Sequence, residues 1–159
     1  MFKLYRFTDN SKEYWETWDN GDGSHSIHWG VLGTKGETKT VQSSLFSKAE
    51  KTIQKEINKL VGEGFQPIDI ENHFRLLVEY AVDGMGKVED LEKRHLLESR
   101  LNETLGWTGL GACDGGSNGS GSMEVCNFVV DFDLAKSIIV AELANTEFAD
   151  YTRIYDEDA

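Results

Sequence analysis

The sequence predicts an α+β protein built in two parts. Three observations carry this. Residues 2–43 alternate with a period of two between turn-forming clusters, and the period then becomes helical. Beyond the single proline, Pro67, the elements read β-α-β-β-α-β. The charge changes at the same place. Residues 1–70 hold nine Lys/Arg against ten Asp/Glu, a balance of −1, while residues 71–159 hold seven against eighteen, a balance of −11. We therefore divide the chain into residues 1–66, a linker at 67–71, and an acidic part at 72–159.

The first part opens with "MFKLYRF", in which Phe2 and Leu4 alternate with Lys3 and Tyr5. "KEYWETW" sets Tyr14, Glu16 and Trp18 on one face and Glu13, Trp15 and Thr17 on the other. "HSIHWGVL" and "ETKTVQS" follow, and "TDNS", "DNGDGS" and "GTKG" are the turns between them. A four-stranded meander is the simplest arrangement. "SSLFSKAEKTIQKEINKLVGEGF" then places Leu45, Ala49, Ile53, Ile57 and Leu60 at helical spacing. Ser43 or Ser44 would cap its start, and Gly62 or Gly64 its end.

In the second part "HFRLLVEYAV" reads as a strand. "VEDLEKRHLLESRLNETLG" reads as a helix with Leu91, Arg94, Leu97, Leu101 and Leu105 along one stripe, Arg94 at its edge with the head in solvent. "WTGLGACD" and "SMEVCNFVVDF" are strands around a glycine-rich loop at 115–122. "DLAKSIIVAELAN" is a helix capped by Asp131 or Asp133, with Leu134, Ile138, Ile139 and Ala141 inward. "ADYTRIY" closes as a strand. This order is that of a ferredoxin-like split β-α-β sandwich, both helices on one face of an antiparallel sheet.

Composition excludes several classes. With 39% hydrophobic residues in 159, the chain is globular. No apolar run approaches the roughly 18–20 residues of a membrane span. The charged, alternating N-terminus is not a signal peptide, so no membrane partner is expected and the cytoplasm is the default. Cys113 and Cys126 form no CxxC pair and read as free thiols, with a disulfide across a hairpin left open.

Lys3–Phe7 ("KLYRF"), residues 12–18 ("KEYWETW"), 28–38 ("HWGVLGTKGET") and 59–65 ("KLVGEGF") form an ordered set: Trp-Gly, then Gly-Thr-x-Gly, then a helix ending in Gly-aromatic. Over residues 1–66 this resembles the WGR domain family. The resemblance implies a small antiparallel sheet with one helix. It also implies nucleic-acid binding: in poly(ADP-ribose) polymerases the module helps engage DNA ends and passes that signal to catalytic domains. In those members the Trp, here Trp29, contacts a sugar at a strand end and an Arg supports the interface. Position 31 departs from the pattern, because Val31 offers none of an arginine's forked donors. No polymerase catalytic residues are recognised.

The candidate nucleic-acid surface is Trp29 with Lys35 and Lys39 near the turn, and Lys48, Lys51, Lys55 and Lys59 along one side of the helix. Aromatics stack on bases and sugars, and lysines track phosphates. A core tryptophan and a solvated lysine face would look the same from sequence. The competing surface lies in the acidic part, at Glu89, Asp90, Glu92, Glu98 and Asp114, where a basic protein would dock as in an immunity-type complex. A third arrangement has the acidic part covering the basic stripe, within a chain or in a dimer. No frame of the glycine-rich segment satisfies a phosphate loop, and no helix follows it. His25 and His28 are three apart in a strand, which is poor metal geometry. No metal, cofactor or enzymatic activity is expected.

Overall fold

The computed structural model describes all residues, Met1–Ala159, and the chain divides into two units, Met1–Asp69 and Ile70–Ala159. It is an α+β protein with two antiparallel four-stranded sheets and three α-helices.

In the first unit β1 (Phe2–Phe7), β2 (Lys12–Asp19), β3 (Ser24–Val31) and β4 (Glu37–Gln42) form a meander in the order β1-β2-β3-β4. Helix α1 (Ala49–Gly62) packs on β3 and β4. The register pairs Leu4 with Trp15 and Trp15 with Trp29. Strand alternation therefore sends these residues and Ile27 to the helix-bearing face. There Leu4, Trp15 and Ile27 meet Ile53 and Phe65, with Trp29, Val41, Ile57 and Leu60 around them.

Helix α1 starts later than expected. Leu45 is 98% exposed rather than inward, and Phe46 beside it is 97% exposed. A tight turn precedes the helix, closed by the Ser44 N–H donating to the Ser47 carbonyl at 2.7 Å. Lys48 is the extended N-cap residue. The Ser43 hydroxyl accepts from the Ala49 N–H at 2.9 Å, satisfying a free helix donor from outside the cap position. At the other end the Gly64 N–H donates to Val61 and the Phe65 N–H to Leu60, a Schellman arrangement that brings Phe65 onto the core.

The second unit comprises β5 (Phe74–Ala81), α2 (Val88–Trp107), β6 (Gly111–Gly119), β7 (Ser122–Val129), α3 (Phe132–Leu143) and β8 (Arg153–Asp156). The strand order is β6-β7-β5-β8 and every neighbouring pair is antiparallel. Helix α2 packs on β6 and β7, α3 packs on β5, and the two helices touch, so both lie on one face. Leu76, Val78, Tyr80, Met123, Val125 and Val129 supply the sheet side of that core, and Leu97, Leu101, Leu105, Ala135, Ile139 and Leu143 the helix side.

Four local expectations are corrected. The glycine-rich segment is not a long loop: β6 runs through it to Gly119, and only Ser120 and Gly121 turn the chain. At Gly116 close packing requires glycine, because a Cβ there would lie 2.8 Å from Arg94 Cδ of α2 and 2.6 Å from the Glu124 carbonyl oxygen of β7. The Arg94 head is not in solvent: it ion-pairs with Glu98 at 3.1 Å and donates to Asn118 Oδ1 at 2.5 Å. Leu91 is exposed. Six residues of helix rotate it about 120° from Leu97. In α3 the cap is Asp131, accepting from the Leu134 N–H at 3.0 Å. That phase buries Ala135, Ile139 and Leu143 and leaves Ala141 exposed.

Candidate binding surfaces

Trp29 sits at the edge of the first unit's core. Its ring is half-buried against the cluster, and Lys39 Nζ lies over it, 5.5 Å from the centroid. Lys39 in turn pairs with Glu56 of α1 at 3.2 Å, and Glu56 Oε1 accepts from Trp15 Nε1 at 3.2 Å. A cation over an aromatic face, itself tied to a carboxylate, occupies the surface on which a base or sugar would stack.

The Trp-Gly and Gly-Thr-x-Gly stretches form one device on the other face of β3. Gly36 has φ +61°, and a Cβ on Gly30 would lie 2.8 Å from the Gly36 Cα. Only glycine permits this approach of the turn to the strand. The turn is anchored from beneath. His28 is fully buried, with Nε2 2.6 Å from the Lys35 carbonyl oxygen and Nδ1 2.7 Å from Glu16 Oε1. Lys3 pairs with the other Glu16 oxygen at 3.2 Å. The Tyr14 hydroxyl donates to the Thr34 carbonyl at 2.8 Å and lies 3.0 Å from His28 Nε2. Burial, and then the negative charge of Glu16, push the Tyr14 phenol well above its ordinary pKa, so it remains a donor. Sequence reading missed this network. The signal was the short β2–β3 turn, which places Glu16 opposite His28.

The helix lysines form a separate surface. Ala49, Ile53, Ile57 and Leu60 face the sheet, so at 100° per residue Lys48, Lys51, Lys55 and Lys59 point away from it, with Asn58 between them. All four are exposed. Lys59 approaches Glu63 at 3.9 Å, while Lys48, Lys51 and Lys55 make no ion pair. Glu50 and Glu56 lie nearer the sheet side, and Glu63 stands beside Lys59 at the end of the flank. Val31 is 55% exposed at the end of β3. Trp29 and Lys39 thus stand on the sheet side of α1, and the lysine flank on its far side. Lys35 is exposed on the turn.

The acidic candidates are also spread out. Asp90 accepts from the Lys87 N–H at 2.7 Å and caps α2. Glu98 is committed to Arg94. Glu89 and Glu92 are exposed and share α2's outer flank with Glu103 and Leu96. Asp114 lies at the β6 bulge, beside a shallow groove of about 280 Å³ on the sheet face that carries no helix. Five of this unit's seven cations pair with carboxylates: Arg75, Lys93, Arg94, Arg100 and Arg153. A larger cleft of about 560 Å³ is lined by Ile70, Glu71, Phe74, Phe128, Asp156 and Asp158, with Asn72, His73 and Arg75 completing it.

Cys113 and Cys126 are free thiols. Cys113 pairs in register with Asn127 and Cys126 with Gly115, which sets their side chains on opposite faces of the hairpin. Burial pushes both thiols up. No group of three His, Cys, Asp or Glu side chains is placed to hold a metal ion, and no helix is long and apolar enough to cross a membrane. No family model, curated protein or solved structure matches this chain.

Proposed function

We propose that this chain is a non-enzymatic, cytoplasmic binding protein whose first unit holds a nucleic-acid backbone, at DNA ends or on single strands, along the outer flank of α1. One observation supports the reading: Lys48, Lys51 and Lys55 share an exposed flank on which they make no ion pair, and Lys59 extends it to Glu63 at its C-terminal end. Successive lysines four residues apart rise about 6 Å along the axis, so the flank spans several phosphates. The WGR-like pattern of residues 1–66 supports the choice of nucleic acid among polyanions. The contact differs from the one that resemblance implies, because Lys39 covers Trp29 and Val31 replaces the arginine.

Fluorescence anisotropy with labelled single-stranded and blunt duplex DNA tests this on the full chain. Binding on the order of micromolar at low salt is expected, as for nonspecific contacts. Lys51→Glu combined with Lys55→Glu should weaken it by at least roughly tenfold. Absence of binding by the unaltered chain at low salt would overturn the reading.

A second reading has its own observation. With five of its cations neutralised locally, the second unit leaves Glu89, Glu92 and Glu103 unpaired on the outer flank of α2. That flank suits a basic protein partner. Glu89→Lys with Glu92→Lys would then abolish capture of such a partner and leave DNA binding intact.

A further inference from the structure

The turn before α1 is built to display two apolar side chains. Ser44 N–H closes it onto Ser47 at 2.7 Å, and the Ser44 hydroxyl accepts from the Phe46 and Ser47 N–H groups at 3.3 and 3.2 Å. Leu45 and Phe46 stand at its tip, 98% and 97% exposed. Leaving two such side chains in water forgoes the stabilisation their burial would give. A hydrogen-bonded turn that projects both is a preorganised knob rather than a slack loop. Lys48 and Lys51 follow directly, so the knob is apolar at the tip and basic at its base.

The second unit carries a cleft with an apolar lining and acidic side chains. The cleft of about 560 Å³ has Ile70, Phe74 and Phe128 as apolar lining and Glu71, Asp156 and Asp158 as acids. Arg75, its one Lys/Arg, is held by Glu157 at 3.0 Å and by Asp158. Ile70 and Phe74 are themselves 58% and 42% exposed, so the cleft has apolar surface left to cover. The cleft is open to solvent along its length, so it could receive a protruding turn but does not enclose one.

We infer that the Leu45–Phe46 turn of one chain docks in the Ile70–Phe74–Phe128 cleft of a second copy, with Lys48 and Lys51 against Glu71 and Asp156, so that self-association competes with the proposed nucleic-acid binding for these two lysines. Each chain has one knob and one cleft. The contact is heterologous, so it either propagates or closes reciprocally as a dimer. The interface is small, which makes the association weak and concentration-dependent.

Sedimentation velocity of the full chain over a concentration series, at low and high salt, is the test. Self-association that weakens with salt is expected. Leu45→Asp with Phe46→Asp, which removes the knob, should give a monomer. So should Ile70→Arg with Glu71→Arg, which blocks the cleft at two exposed positions. The decisive sample is a mixture of the two variants. One intact knob and one intact cleft remain, so the mixture should form a 1:1 dimer and nothing larger. Circular dichroism and melting confirm that each variant is folded. A full chain that is monomeric throughout, self-association unaffected by either pair, or a mixture that stays monomeric would each overturn the proposal. Pelleting of a monomeric chain with phosphatidylserine vesicles, lost in the Leu45→Asp, Phe46→Asp variant, would assign the turn to an anionic lipid surface instead.

Discussion

At the scale of single residues, Trp29 is half-buried at the edge of the first unit's core. Its ring rests on the core, Lys39 covers it, and Glu56 holds Lys39. Trp29→Ala should therefore cost about 2–3 kcal/mol of stability, below the full value for a wholly buried aromatic. If phosphate contacts on α1 supply the proposed binding, the folded variant should keep its DNA affinity within about twofold. Urea unfolding and anisotropy on the same preparation check both parts. Tyr155 offers a readout in the second unit. Burial first, and then its hydrogen bond to Glu124, raise it from 10.0 to about 12. A folded value above the unfolded one means that its contribution is fully present below pH 10 and is lost as pH rises through about 12. Tyrosinate absorbance should show Tyr155→Phe removing a late-titrating group, and stability should fall over that alkaline window.

At the scale of elements, the turn between β3 and β4 depends on close backbone approach. Gly36 has φ +61°, and a Cβ there would run into the Trp29 carbonyl oxygen. Gly36→Ala should destabilise the first unit by about 1–3 kcal/mol, read by thermal melting. Element order and type were legible from period alone. Alternation marked β1 to β4, because one face of the meander packs on α1 while residues between point away. Boundaries were less legible where local chemistry competed with periodicity. Leu45 continues the helical spacing of Ala49 and Ile53, yet the Ser44 turn withholds it from α1. The glycine-rich run looked like a loop because turn composition and tight strand-to-helix packing both select glycine. Gly116 is there for Arg94 and Glu98, a tertiary reason invisible in the strand's own sequence. The candidate site was legible in part. The lysine spacing defined a flank, but only the packing of α1 showed that Trp29 and Lys39 lie on its other side.

At the scale of the whole molecule, charge is divided so that the two units do different electrostatic work. The first carries −1 and concentrates four lysines on one helix flank, while the second carries −11 and pairs most of its own cations. The acidic unit repels polyanions at long range, so DNA binding by the full chain should be weak and should persist only through local contacts on α1. The measurement that tests this most directly is the salt dependence of single-stranded DNA binding by the full chain and by Lys51→Glu, Lys55→Glu. Four lysine–phosphate contacts predict a slope of log K against log salt of about −2 to −3, reduced by about 0.7 for each lysine removed. A slope that does not change when Lys51 and Lys55 are replaced would contradict the account, because the binding would then lie elsewhere than on the outer flank of α1.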